Sequence, residues 1–219
     1  MAEERKLTRL ERGGDLSRIF AFTDGVYAIA ITLLVLQIDV PTSASSGTDL
    51  WNQIRTQDGD LFAFALSFVV IGFFWISSHR LMRQINEFDR GLMVINIFYL
   101  GFVVMVPFTS QLIGEYGRYF VAIVFYATNL AVIALMGYWL KRHILKNHLE
   151  IEGYEWDLRL SAKSDLFNAA MFVAVLPIAY FIGTWALLLW MGNRWDPYQR
   201  RRDRIYAEHE QKLSAGEAS

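Results

Sequence analysis

Four stretches, residues 21–38, 61–78, 92–112 and 120–140, hold a single charged side chain between them, Asp24. Each is long enough to carry a helix, rising ~1.5 Å per residue, across most of a hydrocarbon core about 30 Å thick. Inside such a core only helices or closed barrels satisfy their backbone groups, and unbroken apolar runs of this length are helical. The expected class is therefore an all-α integral membrane protein. A fifth apolar stretch, residues 166–192, is interrupted by Pro177 and Gly183 and reads either as one tilted span or as two short ones.

The basic residues decide between these two. Counted between spans, the 21 Lys and Arg fall as five before the first, then one, three, one and five in the connections, and six from Arg194 onward. Cytoplasmic segments carry the excess of Lys and Arg, so the amino end, the second and fourth connections and the tail are expected inside. An even number of crossings follows. The last stretch is accordingly split into a hairpin, residues 165–181 and 183–195, which makes six transmembrane helices. The expected layout is a cytoplasmic segment 1–17, a six-helix membrane domain 18–195 and a charged cytoplasmic tail 196–219. No cleavable signal peptide is expected, because the first 17 residues lack an apolar h-region.

Composition excludes other classes. The absence of Cys rules out disulfide scaffolds and thiolate metal sites, and 15% aromatic residues rule out disorder. No cofactor, resident metal or nucleic-acid partner is expected. His79, His143 and His148 lack paired metal-ligand spacing with carboxylates, and no Gly-x-Ser-x-Gly or Walker loop is present, so no enzyme is expected.

Polar groups in hydrocarbon are costly and need partners, which makes them the pointers to function. On the first span, at about 100° per residue, Phe22, Gly25, Ile29, Thr32, Leu33 and Leu36 form one stripe, and Asp24 points about 140° away from Ile29. The stripe fits either ordinary helix packing or a shared axis between several copies. In the second span Trp75 and His79 share a face near the inner surface, where His79 can reach Asp24 or face headgroups. Asn96 in the third span can complete a polar cluster. Asn129 and Asn168 are lone amides of the kind that bond between helices, while Pro107 and Pro177 are expected to kink or end helices.

The run Arg18-x-x-x-Phe22-Thr23-Asp24-Gly25, followed by Ala-Ile-Ala-Ile-Thr-Leu-Leu-Val-Leu, resembles the first-helix signature of the prokaryotic transmembrane protein 175 family, relatives of the lysosomal potassium channel. Trp75 through His79 and Arg80 resemble that family's second-helix ending. Thr23 departs from the family's Ser but keeps the hydroxyl. The resemblance implies a homotetrameric, potassium-permeable cation channel of the cell membrane with four first helices around the pore. On that reading Ile29 is the narrowest ring, and Thr32, Leu33 and Leu36 line the wall further out. It further implies that Arg18, Phe22, Thr23, Asp24, Trp75, His79 and Asn96 form a structural network behind the pore. The rival class is a secondary transporter using Asp24, since carriers also bury acids and interrupt helices. A potassium filter of the Thr-Val-Gly-Tyr-Gly type is not present, and Arg80 and Arg83 are too few and misplaced for a voltage sensor.

Overall fold

The computed structural model describes residues 2–214, with side chains over 16–189 and 196–208. Within them the chain is all-α, and five segments are long and apolar enough to cross a membrane: Leu16–Gln37, Asp58–Met82, Arg90–Tyr116, Phe120–Asn147 and Glu155–Leu189. All but the last begin or end within a few residues of the apolar runs and extend into flanking polar residues. This is expected of helices that outlast the hydrocarbon thickness and carry their ends into the headgroup layer. Residues 215–219 of the tail lie outside the described residues, as do the side chains of Arg5, Lys6, Arg9, Arg12 and Arg194.

Helix α1 (Ala2–Leu33) tightens into a 3-10 turn at Leu34–Gln37. A short helix α2 (Gly47–Arg55) follows, capped by the Ser46 hydroxyl on the Asp49 amide, and then α3 (Asp58–Met82). The third span is broken into α4 (Arg90–Val104) and α5 (Val106–Tyr116), with Pro107 in the first turn of α5. That placement follows from its missing N–H, which an interior position would waste but a first turn leaves unpaired anyway. Helix α6 (Phe120–Asn147) ends on His148 in the left-handed conformation, with φ 54°. Helices α7 (Glu155–Ala174) and α8 (Leu176–Ile182) repeat the proline break at Pro177.

At Gly183 the backbone takes φ 66° and ψ −148°, a combination that only glycine adopts without strain. The chain turns there and returns as a 13-residue 3-10 segment, Gly183–Trp195. At a rise of about 2.0 Å per residue it covers roughly 26 Å, matching the run from Ser164 to Ile182 at about 1.5 Å per residue. The match is visible in a contact: the Ser164 hydroxyl donates to the buried carboxylate of Asp196. Asp196 also accepts from the amides of Tyr198 and Gln199 at 2.8 and 3.2 Å, and so starts α9 (Pro197–Ser214).

The core sits around α6, where Tyr126, Ala127, Leu130, Ile133 and Ile144 are fully enclosed. Buried hydroxyls there are satisfied in a chain: Tyr126 meets Ser67 at 2.9 Å, Ser67 donates to Ser110 at 2.8 Å, and Ser110 donates to the Ala63 carbonyl. Asn129 bonds across to the Phe102 carbonyl at 3.2 Å, an inter-helix amide of the expected kind. Past the C-terminal ends of α3 and α6, the 83–89 and 148–154 connections are stitched by an isolated bridge between Ile85 and Glu150.

Candidate functional site

Helix α1 has two faces of opposite character. Thr23, Tyr27, Ala30 and Leu34 repeat at the helical period and are essentially inaccessible. The opposite side is open: Phe22 is 58% exposed, Ile29 58%, Leu33 39% and Leu36 74%, with Gly25 and Thr32 exposed between them. All six residues of the stripe read from periodicity lie on the uncovered side, which also includes Ala21, Ala28 and Val35.

The helix is fastened by polar ties to three neighbours, α3, α4 and α5. Asn96 of α4 donates its amide to the Thr23 hydroxyl at 3.1 Å, and the Trp75 indole of α3 donates to Asp24 at 2.9 Å. One turn further along α1 the buried hydroxyls of Tyr27 and Tyr99 meet at 2.5 Å, and past its C-terminal end Gln37 donates to the Pro107 carbonyl at 2.7 Å. The last tie reaches the break between α4 and α5.

The partner of Asp24 is therefore Trp75 rather than His79. His79 instead lies against the Trp75 ring, centroids 5.5 Å apart, and supports it. An indole N–H can only donate, so it needs an acceptor when held at the edge of hydrocarbon, and a carboxylate one turn into α1 supplies it. Thr23, Asp24, Trp75, His79 and Asn96 thus come together. Phe22 does not join them and lies on the open face. Arg18 is exposed and makes no ion pair among the described residues.

Two features of the site were not legible as motifs. Tyr27 and Tyr99 read as ordinary apolar-helix residues, and only their matching depth in neighbouring helices pairs them. Thr32 donates its hydroxyl to the Ile29 carbonyl at 2.9 Å. Its oxygen then presents only lone pairs to the open side, an acceptor suited to a cation. At the start of α4 the Asp89 carboxylate caps the helix through the Leu92 amide at 2.7 Å and binds His143 of α6 at 2.9 Å. Burial alone would raise this carboxyl, but the amide and His143 outweigh it and hold it below the ordinary aspartate range. Among the described residues no group of three or more His, Asp or Glu side chains is placed to hold a metal ion.

The profile of the family described as "Endosomal/lysosomal potassium channel TMEM175" matches residues 18–107. A potassium channel of Streptomyces collinus is 41% identical over 101 residues, 46% of this chain and 48% of its own. The human endosomal/lysosomal proton channel TMEM175 is 31% identical over 109 residues, 46% of this chain and 21% of its own. The chain spans about half the length of the bacterial curated relatives it matches. The crystal structure of a lysosomal potassium-selective channel TMEM175 homologue from Chamaesiphon minutus superposes with a TM-score of 0.64 at 28% identity, covering 83% of this chain and 97% of that one. Residues 18–107, the stretch that carries every tie holding α1 to α3, α4 and α5, are thus similar to the TMEM175 family.

Proposed function

We propose that this chain is one subunit of a potassium-permeable cation channel of the cell membrane, a homotetramer in which four α1 helices line the pore. The observation that carries the reading is the open face of α1. A helix anchored by four polar ties along its length and bare along one side is built to present that bare side to something outside its own subunit. Four copies around an axis close it into a ring, which one subunit cannot do. Ile29 then forms the narrowest constriction, and a narrow apolar ring blocks ions by losing its water. Thr32, Leu33 and Leu36 line the wall further out, with the Thr32 oxygens as the polar groups able to replace part of a cation's hydration. Arg18, Phe22, Thr23, Asp24, Trp75, His79 and Asn96 belong to the junction behind and beside the pore, which fixes the helix so that the ring holds its diameter.

The proposed subunit makes six crossings, with the Gly183–Trp195 leg as the sixth, and has both ends on the cytoplasmic side. The alternation of rich and poor Lys/Arg connections supports that orientation.

The test is a planar bilayer with potassium on one side and sodium on the other. A reversal potential displaced toward potassium's equilibrium value is expected, with larger flux in Ile29→Ala and weaker potassium preference in Thr32→Ala. Silence in both directions, together with saturable proton-coupled uptake that Asp24→Asn abolishes, would replace the channel by a secondary transporter.

A further inference from the structure

Between α3, α7, the return leg and α9 lies a cavity of about 230 Å³. Its wall changes character along both long helices. On α3 it runs from Val69 and Phe73 to Ser77 and Arg80, about 16 Å at ~1.5 Å per residue. On α7, which runs the opposite way, it passes from Ser161 and Asp165 to Met171 and Phe172. The polar ends coincide near the inner surface, and the apolar ends coincide at mid-membrane depth.

The lining carries three cations, Arg80, Lys141 and Arg202, and two acids, Asp165 and Asp196. Most of that charge is already committed. Lys141 is paired with Asp165 at 2.5 Å, Arg202 with Asp157 behind the wall at 3.2 Å, and Asp196 with Ser164 and the first amides of α9. Among the described residues Arg80 has no acid partner. Just outside the cavity, α9 exposes Arg200, Arg201 and Arg204. A basic cluster directly beside membrane spans attracts anionic lipid, and a cationic pocket between spans holds its headgroup.

We propose that this cavity binds a phospholipid with a singly charged phosphodiester headgroup, the phosphate at Arg80 and one acyl chain along Phe73 and Met171. One unpaired cation matches one negative charge. The apolar end gives a chain somewhere to lie, which a free phosphate would leave empty. A zwitterionic head gains less, because both carboxylates that could receive its ammonium are occupied. The site requires only that the chain is embedded in a membrane, and it stands or falls separately from ion conduction.

The full chain, delipidated in a neutral detergent, is assayed by native mass spectrometry and by thermal midpoint against phosphatidylglycerol, phosphatidylcholine and inorganic phosphate at matched concentrations. Phosphatidylglycerol is expected to be retained at one per protomer and to raise the midpoint, and the other two are not. Arg80→Gln is expected to weaken phosphatidylglycerol binding about tenfold, the loss of one charge-assisted hydrogen bond, while Arg80→Lys keeps most of it. Met171→Trp, which fills the apolar end, is expected to abolish retention. Arg83→Gln, on an exposed residue outside the cavity, is expected to change nothing. Equal protection by inorganic phosphate, equal retention of phosphatidylcholine, unchanged binding in Arg80→Gln, or an equal loss in Arg83→Gln would each overturn the site.

Discussion

Helices α1 and α6 are both apolar and both long enough to span a bilayer, yet 50% of the most apolar window of α6 is buried inside the protomer and only 22% of that of α1. Hydropathy does not separate them, with a mean of 2.1 for each. In lipid an apolar residue gains little by leaving the hydrocarbon, so what distinguishes a pillar from a presenting helix is which side chains find packing partners and polar ties. Helix α6 packs against α4, α5 and α7 around its circumference, whereas α1 is held along one line and exposes the other. The difference suggests where damage should be global and where it should be confined to function.

The largest effect is expected where α6 meets α7. Lys141 and Asp165 are 4% and 14% exposed, so Lys141→Met strands a carboxylate in the bundle. Removing one member of a buried pair costs about 3–5 kcal/mol, while Lys141→Met with Asp165→Leu recovers much of it. Thermal unfolding in detergent is the measurement. A single variant as stable as the double one would mean that the pair is solvated, and that the α6–α7 contact is looser than its geometry.

Next in size is a direct contrast of leucines. Leu130 of α6 is 0% exposed and Leu36 beyond α1 is 74% exposed. Leu130→Ala is expected to cost about 2–5 kcal/mol through its cavity, and Leu36→Ala less than about 0.5 kcal/mol. Comparable losses would erase the distinction between the two helices.

Much of this was legible beforehand, for identifiable reasons. The spans were readable because unbroken apolar runs leave the backbone no alternative to a helix, and the open stripe because the helical period alone fixes which of Phe22, Gly25, Ile29, Thr32, Leu33 and Leu36 share a side. A break at Gly183 was readable from the glycine that interrupts the last apolar stretch, although the 3-10 winding after it was not. The partner of Asp24 was not readable. Trp75 and His79 share a face of α3, and periodicity cannot say which of two residues one turn apart lies level with a carboxylate on another helix. The Lys141–Asp165 and Arg202–Asp157 pairs were hidden for the same reason, since their partners are set by the relative heights of α6, α7 and α9.

The Asp24 tie sets the third expectation. Trp75→Phe keeps the ring against His79 and removes only the donated hydrogen bond, a change of about 1–2 kcal/mol given a charged acceptor at a partly exposed site. Because the tie holds α1 and not the core, the loss should appear in the pore before it appears in the fold. Altered flux or a weakened tetramer with a near-native melting profile is the expected result. Wild-type behaviour in both would leave the fastening of α1 to Asn96, Tyr99 and Pro107.

The smallest effect is expected at the seam between the two regions. Asp89 caps α4, on which α1 leans, and reaches His143 on α6, so one carboxylate joins the presenting half to the pillar. Its folded-state pKa is depressed, which means the folded form holds the carboxylate ionised more firmly than the unfolded chain does. The stability it contributes is therefore fully present above the unfolded value of about 4 and is lost as pH falls through that value toward the folded one. Its side chain is 39% exposed, so solvent screening keeps the contribution small. Asp89→Asn can still accept the Leu92 amide but carries no charge, and it should flatten the acid side of the stability profile between about pH 5 and 3 while leaving neutral pH nearly unchanged. Asp89→Ala should cost about 1 kcal/mol at neutral pH through the lost cap. If Asp89→Asn kept the full acid slope, that slope would belong to other carboxylates, and the two halves would be joined through the packing of α4 on α6 without help from this charge.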